Sequence, residues 1–219
     1  MKMIRSGEKK SPLIKRLLFF VLVLLALVGI SSITSEWVAK QGAENWIGVV
    51  NITGIISDSQ HIVNQVKKFG QDKRIQGIVL RIDSPGGSVG PSQEIYDEVL
   101  KTRKGGKIIY ASMGTLAASG GYYIASATEK IFANPGTLTG SIGVIMAFSN
   151  AKGLMEKIGL QPEIIKAGKY KDIGSPARAM TQNEKNLLQS VVTDVHQQFI
   201  EAVANGRDIS IAEVTKIAD

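Results

Sequence analysis

Cysteine is absent from the 219 residues, which excludes a disulfide scaffold. The absence does not fix the redox compartment, because a domain of this length buries a self-sufficient core without staples. Aromatic residues make up only 6% and charged residues 21%, yet 44% of the chain is hydrophobic, so neither a disordered chain nor a collagen-like repeat fits. No internal repeat and no low-complexity stretch is present. Histidine occurs twice, at His61 and His196, each within a helical pattern remote from the glycine-rich junctions and each read as a surface residue. A Ser-His-Asp triad therefore has few candidates. No G-x-G-x-x-G and no G-K-[ST] occurs, so the usual nucleotide signatures are missing.

What is plentiful is positive charge, and its location decides its meaning. The chain carries 26 Lys+Arg against 19 Asp+Glu, a net +7. Within residues 1–16, Lys2, Arg5, Lys9, Lys10, Lys15 and Arg16 face the single acid Glu8, so this tail holds +5 of the total and the other 203 residues hold +2. The nearly balanced body gives no reason to expect nucleic acid.

The basic tail runs into an uncharged stretch at 17–33, L-L-F-F-V-L-V-L-L-A-L-V-G-I-S-S-I. At about 1.5 Å per residue it covers roughly 26 Å, and Leu13 and Ile14, with Lys15 and Arg16 snorkelling, extend it to the ~30 Å of a hydrocarbon layer. Glu36 and Lys40 are the first charges after it, and Trp37 sits where an interfacial aromatic belongs. Six basic residues before the segment place the N-terminus in the cytoplasm. A cleaved signal peptide shares these features, but no clear A-x-A-like site follows Ile33. The reading is thus a basic cytoplasmic tail at 1–16, a transmembrane anchor at 17–34 in contact with lipid, a linker at 35–45 and an extracytoplasmic domain at 46–219.

From Trp46 onward, apolar runs and helical patterns alternate. The expected strands are 47–56, 75–82, 107–112, 130–133, 143–146 and 162–166, several of them apolar on both faces as buried parallel strands are. The expected helices are 62–69, 91–104, 117–128, 150–158 and 181–204, the last opening with the capping box T-Q-N-E. This order predicts a layered α/β domain with a mostly parallel sheet.

Three glycine-bearing junctions could carry chemistry. D-S-P-G-G-S (83–88) joins a buried strand to a helix, where glycines let backbone N–H groups turn outward. G-T-L-A-A-S-G-G-Y-Y (114–123) places Ser119 among small residues at a helix start, where the N–H of Gly120 could hold a developing oxyanion. L-T-G-S-I-G-V (138–144) reads as a turn bearing Ser141. A serine nucleophile needs a base, and a neutral lysine serves. At a reference pKa near 10.4 lysine is almost wholly protonated at neutral pH, so such a base needs an apolar setting. The stretch at 164–176, I-I-K-A-G-K-Y-K-D-I-G-S-P, offers Lys166, Lys169 and Lys171, and the residues alone do not choose among them.

Taken together, D-S-P-G-G, A-A-S-G-G-Y-Y-I-A-S, L-T-G-S-I-G-V and G-K-Y-K-D-I-G-S-P, in this order, resemble the signal peptide peptidase A family of serine proteases. The resemblance covers nearly everything from Trp46 to the end, and an N-terminal anchor also fits it. It implies a Clp-protease/crotonase-like fold and a Ser-Lys dyad without cofactor or metal. On the matching positions Ser119 is the nucleophile and Lys171 the general base. Gly86 and Gly120 are the oxyanion donors, and Ser141 orients the lysine amine. It further implies homo-oligomeric rings with the cleft near subunit boundaries, and signal peptides left in a bacterial cytoplasmic membrane as substrates. A crotonase-type acyl-CoA enzyme and an inactive scaffold are the competing readings. Family members continue with further strand and helix past the position of Asp219, so the resemblance also implies a chain cut short, with Ile211, Val214 and Ile217 wanting a partner surface.

Overall fold

The computed structural model describes residues 12–41 and 45–218, with side chains placed for 16–31 and 45–218. The first eleven residues of the basic tail, residues 42–44 of the expected linker and the side chain of Trp37 lie outside the described residues. The chain divides into two compact units, residues 1–45 and 46–219. In the first, α1 (Pro12–Gln41) is one continuous helix. Among the described residues no helix is long and apolar enough to cross a membrane. The apolar run at 17–33 continues past residue 31, where the described side chains of α1 stop.

The second unit starts with β1 (Trp46–Thr53), α2 (Gln60–Gln71), β2 (Ile75–Ser84), α3 (Val89–Lys104) and β3 (Ile108–Ala118). It continues through α4 (Gly120–Ser126), β4 (Lys130–Phe132), β5 (Leu138–Gly140), α5 (Lys152–Lys157), α6 (Gln182–Arg207) and α7 (Ile211–Ile217). The sheet runs β1-β2-β3-β4, with β5 also on β3, and every described ladder is parallel. Parallel neighbours require crossovers, and α2 and α3 supply them between β1, β2 and β3. This is the α/β architecture with a mostly parallel sheet that the sequence predicts. Strand β3 is long enough to hold β4 along residues 110–112 and β5 along 116–118, the second pairing lying beside the functional junction.

Alternation along the strands builds the core. Val50 and Ile52, then Ile78, Leu80 and Ile82, then Ile109, Ala111 and Met113 point to one face and are buried with Val66, Ile95 and Val99 from α2 and α3. Leu80 is fully buried, so Leu80→Ala should cost about 3 kcal/mol by losing both transfer energy and packing. Denaturant unfolding checks this; a loss below about 1 kcal/mol would mean that the site collapses freely. A second cluster joins Ile142 to Phe199, Ile200, Val203 and Ala204 of α6 and Val214 of α7. Thr181 caps α6 and Ser210 caps α7, each through a reciprocal capping box with the glutamate three residues on. Of Ile211, Val214 and Ile217 in α7, Val214 finds its partners here, whereas Ile211 and Ile217 stay exposed.

Five expectations are corrected. The helix expected at 117–128 starts only at Gly120, because Ala117 and Ala118 pair with β2 and β5 as the end of β3. The turn expected at 138–144 contains β5. The strands expected at 143–146 and 162–166 do not form. Ile145 is 90% and Ile165 100% exposed, so these β-rich runs lack a neighbouring strand rather than β propensity. The strand expected at 47–56 stops at Thr53, where Gly54 takes φ +69, and Ile56 keeps only a single bridge to Gly87.

Candidate active site

The ends of β2 and β3 bring the glycine junctions together. At the end of β2, Ser84 donates its hydroxyl to the Gly54 carbonyl at 2.6 Å and accepts the Gly86 N–H at 3.0 Å. The loop is then fastened to the chain after β1: the Ile56 N–H donates to the Gly86 carbonyl at 2.9 Å and the Ser88 N–H to the Ile56 carbonyl at 2.7 Å. A Cβ on Gly87 would lie 2.2 Å from the Ile56 oxygen, so only glycine fits there. Asp83 props the neighbouring strand by accepting the Leu116 N–H at 3.0 Å.

After β3 the backbone turns sharply at Ser119, with φ 51 and ψ −122, and α4 begins at the next residue. A non-glycine residue at that conformation is strained by roughly 1–3 kcal/mol and persists only where its surroundings over-determine it. Here they do. The Ser119 N–H donates to the Gly140 carbonyl of β5 at 2.9 Å, and the Ser119 carbonyl accepts the Tyr123 N–H at 2.8 Å. The strand–turn–helix geometry is that of a nucleophile elbow, although Ser119 does not stand in a G-x-S-x-G pattern. Gly86 presses against the turn, since a Cβ there would lie 2.5 Å from the Gly120 nitrogen. Ser141 follows β5, also with a positive φ of 50.

Ser119, Gly120, Ser141 and Gly87 line one cavity of about 440 Å³. Its other walls are mostly apolar, with Val89 from α3, Val144 and Ile145 from the segment after β5, and Val195 and Phe199 from α6. Tyr123 also faces it; its ring packs tilted against Tyr96 and edge-on against Phe199, and burial pushes its phenol up to about 12, so it stays neutral. Among the described residues no hydrogen bond engages the Ser119 hydroxyl, and His61 and His196 are both away from the lining. His61 is exposed beside Gln65, while His196 is half-buried, not a surface residue, and reaches the Ile142 carbonyl at 2.9 Å.

Of the five site residues expected from the sequence, Ser119, Gly120 and Ser141 meet at the cavity. Gly86 lies directly behind it with its N–H bound to Ser84, and the adjacent Gly87 faces the cavity instead. Lys171 is exposed, in the turn-rich segment before α6, and is not part of the lining. The three lysines nonetheless differ. Lys166 pairs with Asp172 and donates to the Lys169 carbonyl at 3.2 Å. Lys169 stands over the Tyr170 ring at 5.3 Å. Lys171 has no hydrogen bond or ion pair among the described residues beyond its backbone N–H to the Gly168 carbonyl.

The same segment holds a charge network that sequence reading missed. Arg178 donates to Asp172 through Nε at 2.7 Å and Nη2 at 2.9 Å, and to Glu184 through Nη1 at 2.8 Å. Hydrogen bonds from Arg178, and then from the Thr181 N–H, hold the Glu184 carboxyl near 2; Arg178 and then Lys166 hold Asp172 well below the usual carboxylate range. Both folded-state values are depressed, so the stabilisation is complete above the ordinary range near pH 4.5 and drains as the pH falls towards 2. The melting temperature should therefore drop between pH 5 and 2, and Glu184→Gln should flatten part of that drop. An unchanged slope in that variant would remove Glu184 from the account.

Comparisons with known proteins place the chain in a family. The family model described as Peptidase family S49 matches residues 101–219. A protease-named protein of Synechocystis sp. is 40% identical over 184 residues, covering 84% of this chain and 66% of that protein. An Enterococcus faecium protein carrying a signal peptide peptidase SppA name is 35% identical over 204 residues, covering 87% of this chain and 59% of its own length. The "Serine protease SPPA, chloroplastic" of Arabidopsis thaliana is 33% identical over 172 residues, covering 78% of this chain and 25% of that protein. The α/β fold with its mostly parallel sheet is consistent with this family. The chain belongs to peptidase family S49, and it spans two thirds or less of the length of these relatives.

Proposed function

We propose that this chain is a membrane-anchored serine endopeptidase in which Ser119 attacks the peptide carbonyl and Lys171 is the general base. The observation that carries the reading is the strained turn at Ser119, which presents a hydroxyl to an apolar cavity beside the first N–H groups of α4. The choice of Lys171 is supported by its neighbours: Lys166 is held by a carboxylate and Lys169 stands over an aromatic face, whereas the Lys171 amine has no such partner among the described residues.

In the proposed cycle neutral Lys171 takes the Ser119 proton as Oγ bonds to the carbonyl carbon. The oxyanion is held by the N–H of Gly120 and by the 86–87 turn, where the sequence reading names Gly86 and the free-facing glycine is Gly87. The lysine ammonium then protonates the leaving amine, and the acyl-enzyme remains. Water attacks it with Lys171 again accepting the proton, and Ser119 is regenerated. Ser141 orients the amine. No cofactor is required by any step.

Because Lys171 stands outside the cavity, assembly of copies is the step that completes the site in this reading. The apolar residues left exposed around it, Ile145, Phe148, Ile165 and Tyr170 among them, support a homo-oligomer. The anchor is residues 17–34, in a bacterial cytoplasmic membrane with the domain on the extracytoplasmic side. Its support is that Leu17, Phe20, Leu22, Leu25, Val28 and Ile30 are exposed around the whole circumference of α1, a helix that only lipid or other protein would cover. Substrates are signal peptides left in that membrane, matched by the apolar walls of the cavity.

Hydrolysis of a quenched apolar peptide tests the reading. Activity should rise with pH as the lysine loses its proton, and Lys171→Ala should lower kcat by about 10³-fold or more. A flat profile from pH 6 to 10, or wild-type activity in Lys171→Ala, would contradict a lysine base.

A further inference from the structure

The residue after the proposed base is a carboxylate, and a carboxylate beside a general-base lysine is a liability. An acidic group within a few ångströms favours the ammonium form and withdraws the base. Adjacent Cα atoms are only about 3.8 Å apart, so Asp172 is within reach of the Lys171 amine unless something else holds it. Something does. Its two oxygens accept Nε and Nη2 of Arg178 at 2.7 and 2.9 Å and also receive Lys166.

Arg178 is itself fixed from the other side. It donates to both oxygens of Glu184, which is 3% exposed. Glu184 is the third residue of α6 and accepts the Thr181 N–H at 2.8 Å. The clamp therefore ties the lysine segment to the start of the helix whose Val195 and Phe199 wall the cavity. Backbone contacts tighten the same segment: Ser175 N–H to the Asp172 carbonyl at 3.0 Å and Ala151 N–H to the Pro176 carbonyl at 2.8 Å.

We propose that Arg178 is a positioning residue for the base: by clamping Asp172 onto Glu184 it withholds the neighbouring carboxylate from Lys171 and sets that lysine's place relative to α6. The inference rests on the Ser119–Lys171 reading above. The charged groups around the segment are Lys166, Lys169, Asp172 and Arg178 within it and Glu184 on α6. On α5, Lys152 and Glu156 face each other at 3.7 Å. Removing Arg178 strips two of the three donors from Asp172 and leaves only Lys166 to hold that carboxylate away from the amine.

The test uses the full chain and the pH dependence of kcat on a quenched apolar peptide. In Arg178→Gln the rising limb should move to higher pH by roughly half to one unit, and kcat should fall more than KM changes. Adding Asp172→Asn in the same chain should return the limb to its wild-type position, which a purely structural role for Arg178 would not do. If Arg178→Gln fails to fold because Glu184 is left unpaired, Arg178→Lys takes its place, since it keeps the charge but loses the two-sided fork. It should shift the limb in the same direction by less. A folded Arg178 variant with the limb unmoved, or a double variant that stays shifted, overturns the inference. Failure of the underlying reading looks different: Lys171→Ala would then keep the wild-type limb.

Discussion

Ser119→Ala should abolish hydrolysis, by about 10⁴-fold or more in kcat, while leaving the fold intact. The alanine keeps the backbone and removes only the oxygen that would bond to the carbonyl carbon. Its neighbours on the cavity, Gly120 and Ser141, are untouched. Ser119→Gly separates chemistry from strain. At φ 51 and ψ −122 glycine is at ease where serine is not. That variant should be as inactive as the alanine one yet more stable by about 1 kcal/mol, the relief of strain exceeding the entropy that glycine adds to the unfolded chain. Peptide hydrolysis and thermal melting together check the pair. An inactive but destabilised glycine variant would mean that Ser119 is held by its side chain and not strained into place.

Gly86→Ala should damage the site severely through a single added methyl group. At φ +91 the new Cβ meets the Gly120 nitrogen at 2.5 Å and the Ser119 Cβ at 2.8 Å. Neither neighbour is a flexible side-chain end, so the nucleophile and the first N–H of α4 must move. A displacement of even a few tenths of an ångström there misaligns both attack and oxyanion binding, and kcat should fall by about 10²-fold or more. The left-handed backbone adds a stability loss of about 2 kcal/mol. Gly90→Ala in the first turn of α3 is the control, because nothing lies within 4 Å of its Cβ. It should be stable and active. Equal activity in the two variants would show that the 86–87 turn does not govern the site.

These two residues also show what was legible in the sequence. The three glycine junctions were visible as interruptions of an apolar, β-rich pattern, and their convergence followed from parallel strands ending on one side. The capping box at Thr181 reads directly, because both of its halves lie within four residues. The strain at Ser119 did not. A-A-S-G-G has the small residues of a helix, and only pairing of Ala117 and Ala118 with strands distant in sequence shows that the helix starts later. The same non-local cause hid β5, and it left 143–146 and 162–166 as strand-like runs with no partner in one chain. Which glycine of P-G-G faces the cavity depends on Ser84 capturing the Gly86 N–H, a contact no spacing rule encodes. Lys171 could not be chosen over Lys166 and Lys169 by spacing, because the difference among them is their partners: Asp172 for one, Tyr170 for another.

The central claim is that Ser119 is a nucleophile activated by Lys171. The most direct measurement is covalent labelling of the full chain with a serine-reactive phosphonate, followed by peptide mapping and a comparison of labelling rates with pH. The predicted result is a single adduct on Ser119 whose formation speeds up as the pH rises and collapses in Lys171→Ala. An adduct on another serine, or labelling of Ser119 at the same rate without Lys171, would contradict it.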